Sequence, residues 1–268
     1  MRTSNPVLTR TGTPQPDRSL DELLRGDPVS ARPPSGAPPV AIGTDRLTVD
    51  SVIVTTLGLL GLVVVAGAVG WNLVSDSNAT AGRAPAWMMG VFVLVIGLAI
   101  AAAAVPRHAR IIAPAYAIVV GVLAGVVSRI YEVRFDGIVL QAIGLTIGVF
   151  LTMLILFLNR TIRCTPRLRV AIASATFAVF AIYVLSFLVR LFGADIPYIH
   201  DAGPIGILFS LAVVTIAAFN LILDFDAVER SVAAGAPSSL RWNLALGLVA
   251  TLVWLYLELL RLLGKIRR

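Results

Sequence analysis

Seven long apolar runs decide what this chain can become. They cover residues 52–74, 84–105, 111–128, 137–158, 170–189, 202–223 and 242–264. The first six hold no charged side chain, and the seventh is interrupted only by Glu258 and Arg261. A helix that crosses about 30 Å of hydrocarbon needs roughly 20 apolar residues. Each run reaches or approaches that length; the third, with 18, borrows from residues 129–131. Strands of a membrane barrel would alternate apolar and polar residues over about ten positions. These runs are continuous, so the expectation is an all-α membrane protein, a bundle of seven transmembrane helices. Glycines inside the runs suit close helix contact, and "GLLG" (58–61) and "GVLAG" (121–125) are the clearest cases.

Composition agrees. The chain is 57% hydrophobic and 14% charged, with mean hydropathy +0.88, whereas a soluble domain carries about 25% charged residues. Only one of its 22 basic residues is a lysine, Lys265, a bias that points to a GC-rich bacterial source. The net charge of +7 does not indicate nucleic acid, because no basic helix with interleaved aromatics is present. Cys164 is the single cysteine, so neither an internal disulfide nor a thiolate metal cluster is expected. His108 and His200 lie between apolar runs and read as solvated loop histidines.

Residues 1–48 differ from the rest. They hold eight of the fifteen prolines and six arginines, with no apolar segment of the kind a signal peptide needs. Such a segment cannot bury enough apolar surface to offset its chain entropy. It is expected to be a disordered cytoplasmic tail, followed by a helical domain over residues 49–268. Arginine counts in the short loops set the orientation. The tail carries six, the loop between runs 4 and 5 ("NRTIRCTPRLR") four with no acid, and the loop between runs 1 and 2 only Arg83. The N-terminus is therefore expected on the cytoplasmic face of a bacterial cell membrane. One feature opposes this: after seven crossings the basic end "RLLGKIRR" lies outside. We expect the early runs to fix the topology and the basic end to be carried across.

Two places carry charge where charge is expensive. Glu258 follows sixteen uncharged residues, and a carboxylate at the centre of a membrane helix costs about 2.5–3.5 kcal/mol on insertion scales. It is either a helix-end glutamate paired with Arg261 on the same helical face, or a working group facing the bundle interior. Asp224, in "NLILDFDAVERS" (220–231), closes the sixth run. With Asp226 and Glu229 it marks a water interface, unless it lies inside and faces the seventh helix. Two carboxyl groups brought together in low dielectric titrate as a unit, which would make a proton-sensitive latch or a transient cation site. Enzyme chemistry is poorly supplied: no histidine lies in a run, no zinc ligand set or phosphate loop is present, and Asp224 and Glu258 lack the flanking motifs of a membrane aspartyl protease. No cofactor is expected.

Three segments resemble the Bax inhibitor-1 family of seven-helix membrane proteins. "APAYAIVVGVLAGVVSRIYE" (113–132) with "GIVLQAIGLTIGVF" (137–150) is similar to the family's third and fourth helices. "LILDFDAVE" (221–229) resembles the end of its sixth, and "LYLELLRLLG" (255–264) its last, where the family usually has Leu-Tyr-Leu-Asp. The opening "SNPVLTR" resembles that of actinobacterial members. The resemblance implies a bundle with the last helix central. It also implies a pH-sensitive calcium leak with a carboxylate pair between helices six and seven, carried here by Asp224 and Glu258 with Arg261 as counter-charge. It also allows a non-conducting modulator of a membrane protease or stress-response complex, with the tail as its handle. Two positions depart from the family: Glu258 replaces an aspartate, and Val120 stands where many relatives have a glutamate. Asp224 and Glu258 are 34 positions apart, so they meet only if the seventh helix starts late, near residues 246–248.

Overall fold

The computed structural model describes residues 46–75, 87–162, 164–191 and 203–268. The expected tail, apart from its last three residues, and His200 lie outside them. Among the described residues there are seven long helices: α1 (Val49–Asn72), α2 (Trp87–Ala104), α3 (Ala109–Glu132), α4 (Ile138–Leu158), α5 (Pro166–Leu191), α6 (Pro204–Ala233) and α7 (Arg241–Ile266). All seven are long and apolar enough to cross a membrane.

Local chemistry sets several of their ends. Thr48 and Ser51 form a capping box that starts α1. Gly137 sits at φ +72 as the N-cap of α4, and the Glu132 carboxylate accepts hydrogen bonds from the Gly137 and Val139 amides at 2.8 and 3.0 Å. A carboxylate at a helix N-terminus also meets the positive end of its dipole. Helix α6 starts at Pro204 and ignores the charges that end its apolar run. It continues through Asp224, Asp226 and Glu229 to Ala233, and stops beside Gly235 at φ +65. A 3₁₀ turn at Ser238–Leu240 then leads straight into α7.

Helix α7 is the axis, as expected: α1, α3, α4 and α6 all pack on it. The surrounding helices turn Leu140, Ile147, Val170, Phe177 and Leu208 outward, the arrangement of a bundle solvated by lipid. Helix association in lipid depends on close packing rather than on expulsion of water, and the tightest seam runs between α1 and α3. A β-carbon at Gly125 would fall on the backbone of Gly67, and one at Gly70 on the backbone of Val122. "GVLAG" thus makes the close contact expected of it. "GLLG" does not: Gly58 and Gly61 face nothing within 4 Å, and Gly67 and Gly70 take that part.

Two ties fix the direction of the bundle. The Leu47 amide donates to Ala236 O at 2.9 Å, and Arg46 bridges Pro237, so the start of α1 lies beside the α6–α7 turn. Leu47 is buried, and residues 46–48 belong to the helical unit rather than to the tail. At the other end Arg267 donates to Asp136 O and Gln141 Oε1, both at 2.9 Å. The end of α7 therefore lies beside the α3–α4 loop, and α7 runs the full height of the bundle.

Candidate functional site

Polar groups are rare in this interior, and they gather along one face of α7. Asn243, Gly247, Thr251, Glu258 and Lys265 recur at spacings that share a face of a 3.6-residue helix, with Arg261 flanking. Opposite them stand Ser210 and Asp224 of α6 and Tyr183 of α5.

Glu258 is the most completely provided of these groups. It is 2% exposed, eight residues before the last residue of α7, so it is no helix-end charge. Arg261 donates through Nη1 to both of its oxygens, at 3.1 and 3.4 Å. Tyr183 donates its phenolic hydrogen to Oε1 at 2.8 Å and accepts from Arg261 at 2.7 Å. The guanidinium also lies over the Tyr183 ring, 4.9 Å from its centroid, a favourable cation–π placement. Phe209 braces that ring edge-on. The spacing-based pairing of Glu258 with Arg261 is thus present, but as a triad around a buried carboxylate that ties α5 to α7.

Asp224 is held differently. It lies inside α6 and faces α7, where Thr251 hydrogen-bonds to it. Gly247 makes room: a β-carbon there would sit 3.5 Å from Asp224 Oδ1. Its Oδ2 is shut off from solvent with no hydrogen-bond partner, and so is Asn243 Oδ1. Buried polar atoms are nearly always paired, so these two oxygens stand out among the described residues. A protonated water or a hard cation seeks oxygen ligands of this kind.

The structure brings Glu258 and Arg261 together and leaves Asp224 apart from them. Thr251, level with Asp224, precedes Glu258 by seven residues, about 10 Å along a helix. The reason is the tight turn. Helix α7 begins at Arg241 rather than near residues 246–248, so the hairpin is nearly symmetric and the carboxylates fall at different depths. Leu221 and Leu255, both fully buried, occupy the intervening turn.

Beyond Glu258, Lys265 is buried and donates to Gly206 O and Ser210 Oγ, both at 2.9 Å. At the opposite end, outside the apolar belt, Asp226 accepts from Arg169 at 3.0 Å and Arg230 at 2.8 Å, and Glu229 pairs with Arg160 at 3.2 Å. Burial, with a hydrogen bond to Asp226, pushes the nearby Cys164 thiol up from its usual range. His108 is exposed in the turn before α3. Val120 is buried in an apolar cluster with Tyr116, Val249 and Val253, so the position at which the resemblance implies a glutamate is apolar core here. Sequence reading missed Tyr183, Asn243 and Thr251. Tyr183 gave no signal because its partner is 75 positions away; Asn243 and Thr251 were visible as polar residues eight apart in the last run.

Among curated proteins the sequence finds no match. The family model described as Bax inhibitor 1 like matches residues 5–268, nearly the whole chain. Together with the seven-helix bundle around α7, that match places this chain in the Bax inhibitor 1 like family.

Proposed function

We propose that this chain is a pH-sensitive cation leak, with calcium the expected cation, in a bacterial cell membrane with its N-terminus cytoplasmic. The observation that carries the reading is Asp224, an acidic side chain in the α6–α7 interface with one oxygen shut off from water and unpartnered. A cation arriving at that end would find the Asp224 carboxylate, with Thr251 as a neutral oxygen donor beside it. A proton on Asp224 removes the charge such a cation requires. The Glu258–Arg261–Tyr183 triad is the latch: while Arg261 occupies both Glu258 oxygens, a second cation has no vacant carboxylate there. Leu221 and Leu255 close the stretch between, so conduction requires α6 and α7 to shift. A two-state bundle whose balance is moved by a proton needs only a few kcal/mol of differential interaction.

The test is calcium flux into proteoliposomes at pH 6 and pH 8 for the wild type, Asp224→Asn and Glu258→Gln. The expected result is a pH-dependent flux whose dependence Asp224→Asn abolishes. Flux no greater than that of empty liposomes, from folded protein, overturns the reading. That outcome would favour a second one, which the leucine closure supports: a non-conducting modulator of a membrane protease or stress-response complex. Deleting residues 2–45 should then abolish function in the cell, whereas a channel should survive it.

A further inference from the structure

A cleft of about 1670 Å³ runs between α1 and α4, with α3, α6 and α7 as its floor. It exceeds the roughly 300–1,000 Å³ typical of small-molecule pockets. Its lining on α1 extends from Val49 to Asn72, about 35 Å at the rise of a helix, which is the height of a bilayer's hydrocarbon. The walls are almost wholly apolar, with Ile147, Phe150 and Leu252 representative; Thr56 also lines them, its hydroxyl turned back to Val52 O. At the α4–α5 end the lining becomes charged, with Arg160, Asp226 and Glu229. Asp226 is already paired with both Arg169 and Arg230, which leaves Glu229 as the carboxylate that competes for Arg160.

Arg160 occupies an unusual backbone position. The Thr161 amide bonds back to Leu156 O, closing α4 in the manner of a Schellman motif, and Arg160 sits at φ +52 in the left-handed slot. Glycine or asparagine normally fills that slot. A long cation there is 72% exposed, and its ion pair with Glu229 is open to solvent on both sides and therefore weak. The adjoining segment, 159–169, holds four arginines and no acid.

We propose that this cleft binds an anionic phospholipid, its phosphate held by Arg160 and its acyl chains lying against Thr56, Ile147, Phe150 and Leu252. Charge complementarity selects the occupant: basic pockets between membrane helices take anionic lipid headgroups, and a guanidinium matches a phosphate through two parallel hydrogen bonds. The lipid belongs to the leaflet on the α4–α5 side. This inference is independent of whether the protein conducts.

The experiment is native mass spectrometry of the full chain in detergent. Phosphatidylglycerol and phosphatidylcholine of identical acyl chains are titrated, with inorganic phosphate as a headgroup-only control. One phosphatidylglycerol should be retained per chain, at least tenfold more tightly than phosphatidylcholine, with no competition from inorganic phosphate. Arg160→Gly relieves the left-handed backbone, so the fold should melt no lower while phosphatidylglycerol binding falls to the phosphatidylcholine level. Glu229→Gln removes the competing carboxylate and should tighten binding several-fold. Thr56→Phe, which fills the cleft, should exclude both lipids. Equal retention of the two lipids, unchanged binding in Arg160→Gly, weaker binding in Glu229→Gln, displacement by inorganic phosphate, or a second copy of the chain held in place of lipid would each overturn the proposal.

Discussion

Asp224 and Glu258 are both carboxylates on the α6–α7 interface, yet they live in opposite circumstances. Glu258 has a guanidinium on both oxygens, a phenol on one, and an aromatic ring beneath the guanidinium. Asp224 has a threonine, a glycine that makes space, and one oxygen with no partner. The first arrangement spends its charge inside the fold, where it fastens α5 to α7. The second leaves one carboxylate oxygen without a partner among the described residues, which is what the proposed leak would use. Burial alone does not make an acidic residue functional; the completeness of its partners separates a fastener from an exchange site.

The contrast can be broken at four points. The largest effect should come from Arg261→Met, which strands Glu258 in a site that is 2% exposed. The Arg261 side chain is 36% exposed, so the cost should be about 2–3 kcal/mol, below that of a pair buried at both ends. Glu258→Gln combined with Arg261→Met should recover most of it; chemical unfolding in micelles reads both. Next is Tyr183→Phe, which deletes one hydrogen bond to a charged group and should cost about 1.5–2 kcal/mol in the same assay. A loss under half that size would remove Tyr183 from the latch. Thr251→Val should cost only about 1 kcal/mol, and its mark should be a shifted pH profile of flux rather than a lower melting point. The smallest effect on stability belongs to Asp224→Asn, within about 0.5 kcal/mol of wild type or in the stabilising direction. If Asp224→Asn destabilised the protein as strongly as Arg261→Met, the contrast between the two carboxylates would collapse.

The seven runs made the bundle legible because lipid leaves a continuous apolar stretch of this length little choice but helix. Their ends were less legible. Charges at Asp224, Asp226 and Glu229 closed the sixth run by hydropathy, but a helix is stopped by backbone geometry, and here that is Gly235, two residues beyond Ala233. The glycine pairs show the same limit. A small residue marks a contact only if a facing helix aligns with it, so "GVLAG" was informative and "GLLG" was not. Of the site, the i, i+3 relation of Glu258 and Arg261 was readable within one helix. The depth of Asp224 relative to Glu258 was not, since it depends on where the turn between α6 and α7 places the start of α7. The Bax inhibitor-1 resemblance, read from three segments, is borne out by the family match over residues 5–268.

The placement of α7 has a consequence for how the molecule is made. Helices form in the order of synthesis, and the element on which α1, α3, α4 and α6 converge is the one translated after all of them. Until Arg241 and the residues beyond it leave the ribosome, the first six helices reside in the membrane around a slot that their own side chains do not fill. The Leu47–Ala236 tie, which joins the start of α1 to the turn before α7, can close only at that late stage. Completion of α7 thus becomes the assembly step, and a truncation before Arg241 would remove the axis of the bundle rather than a seventh of it.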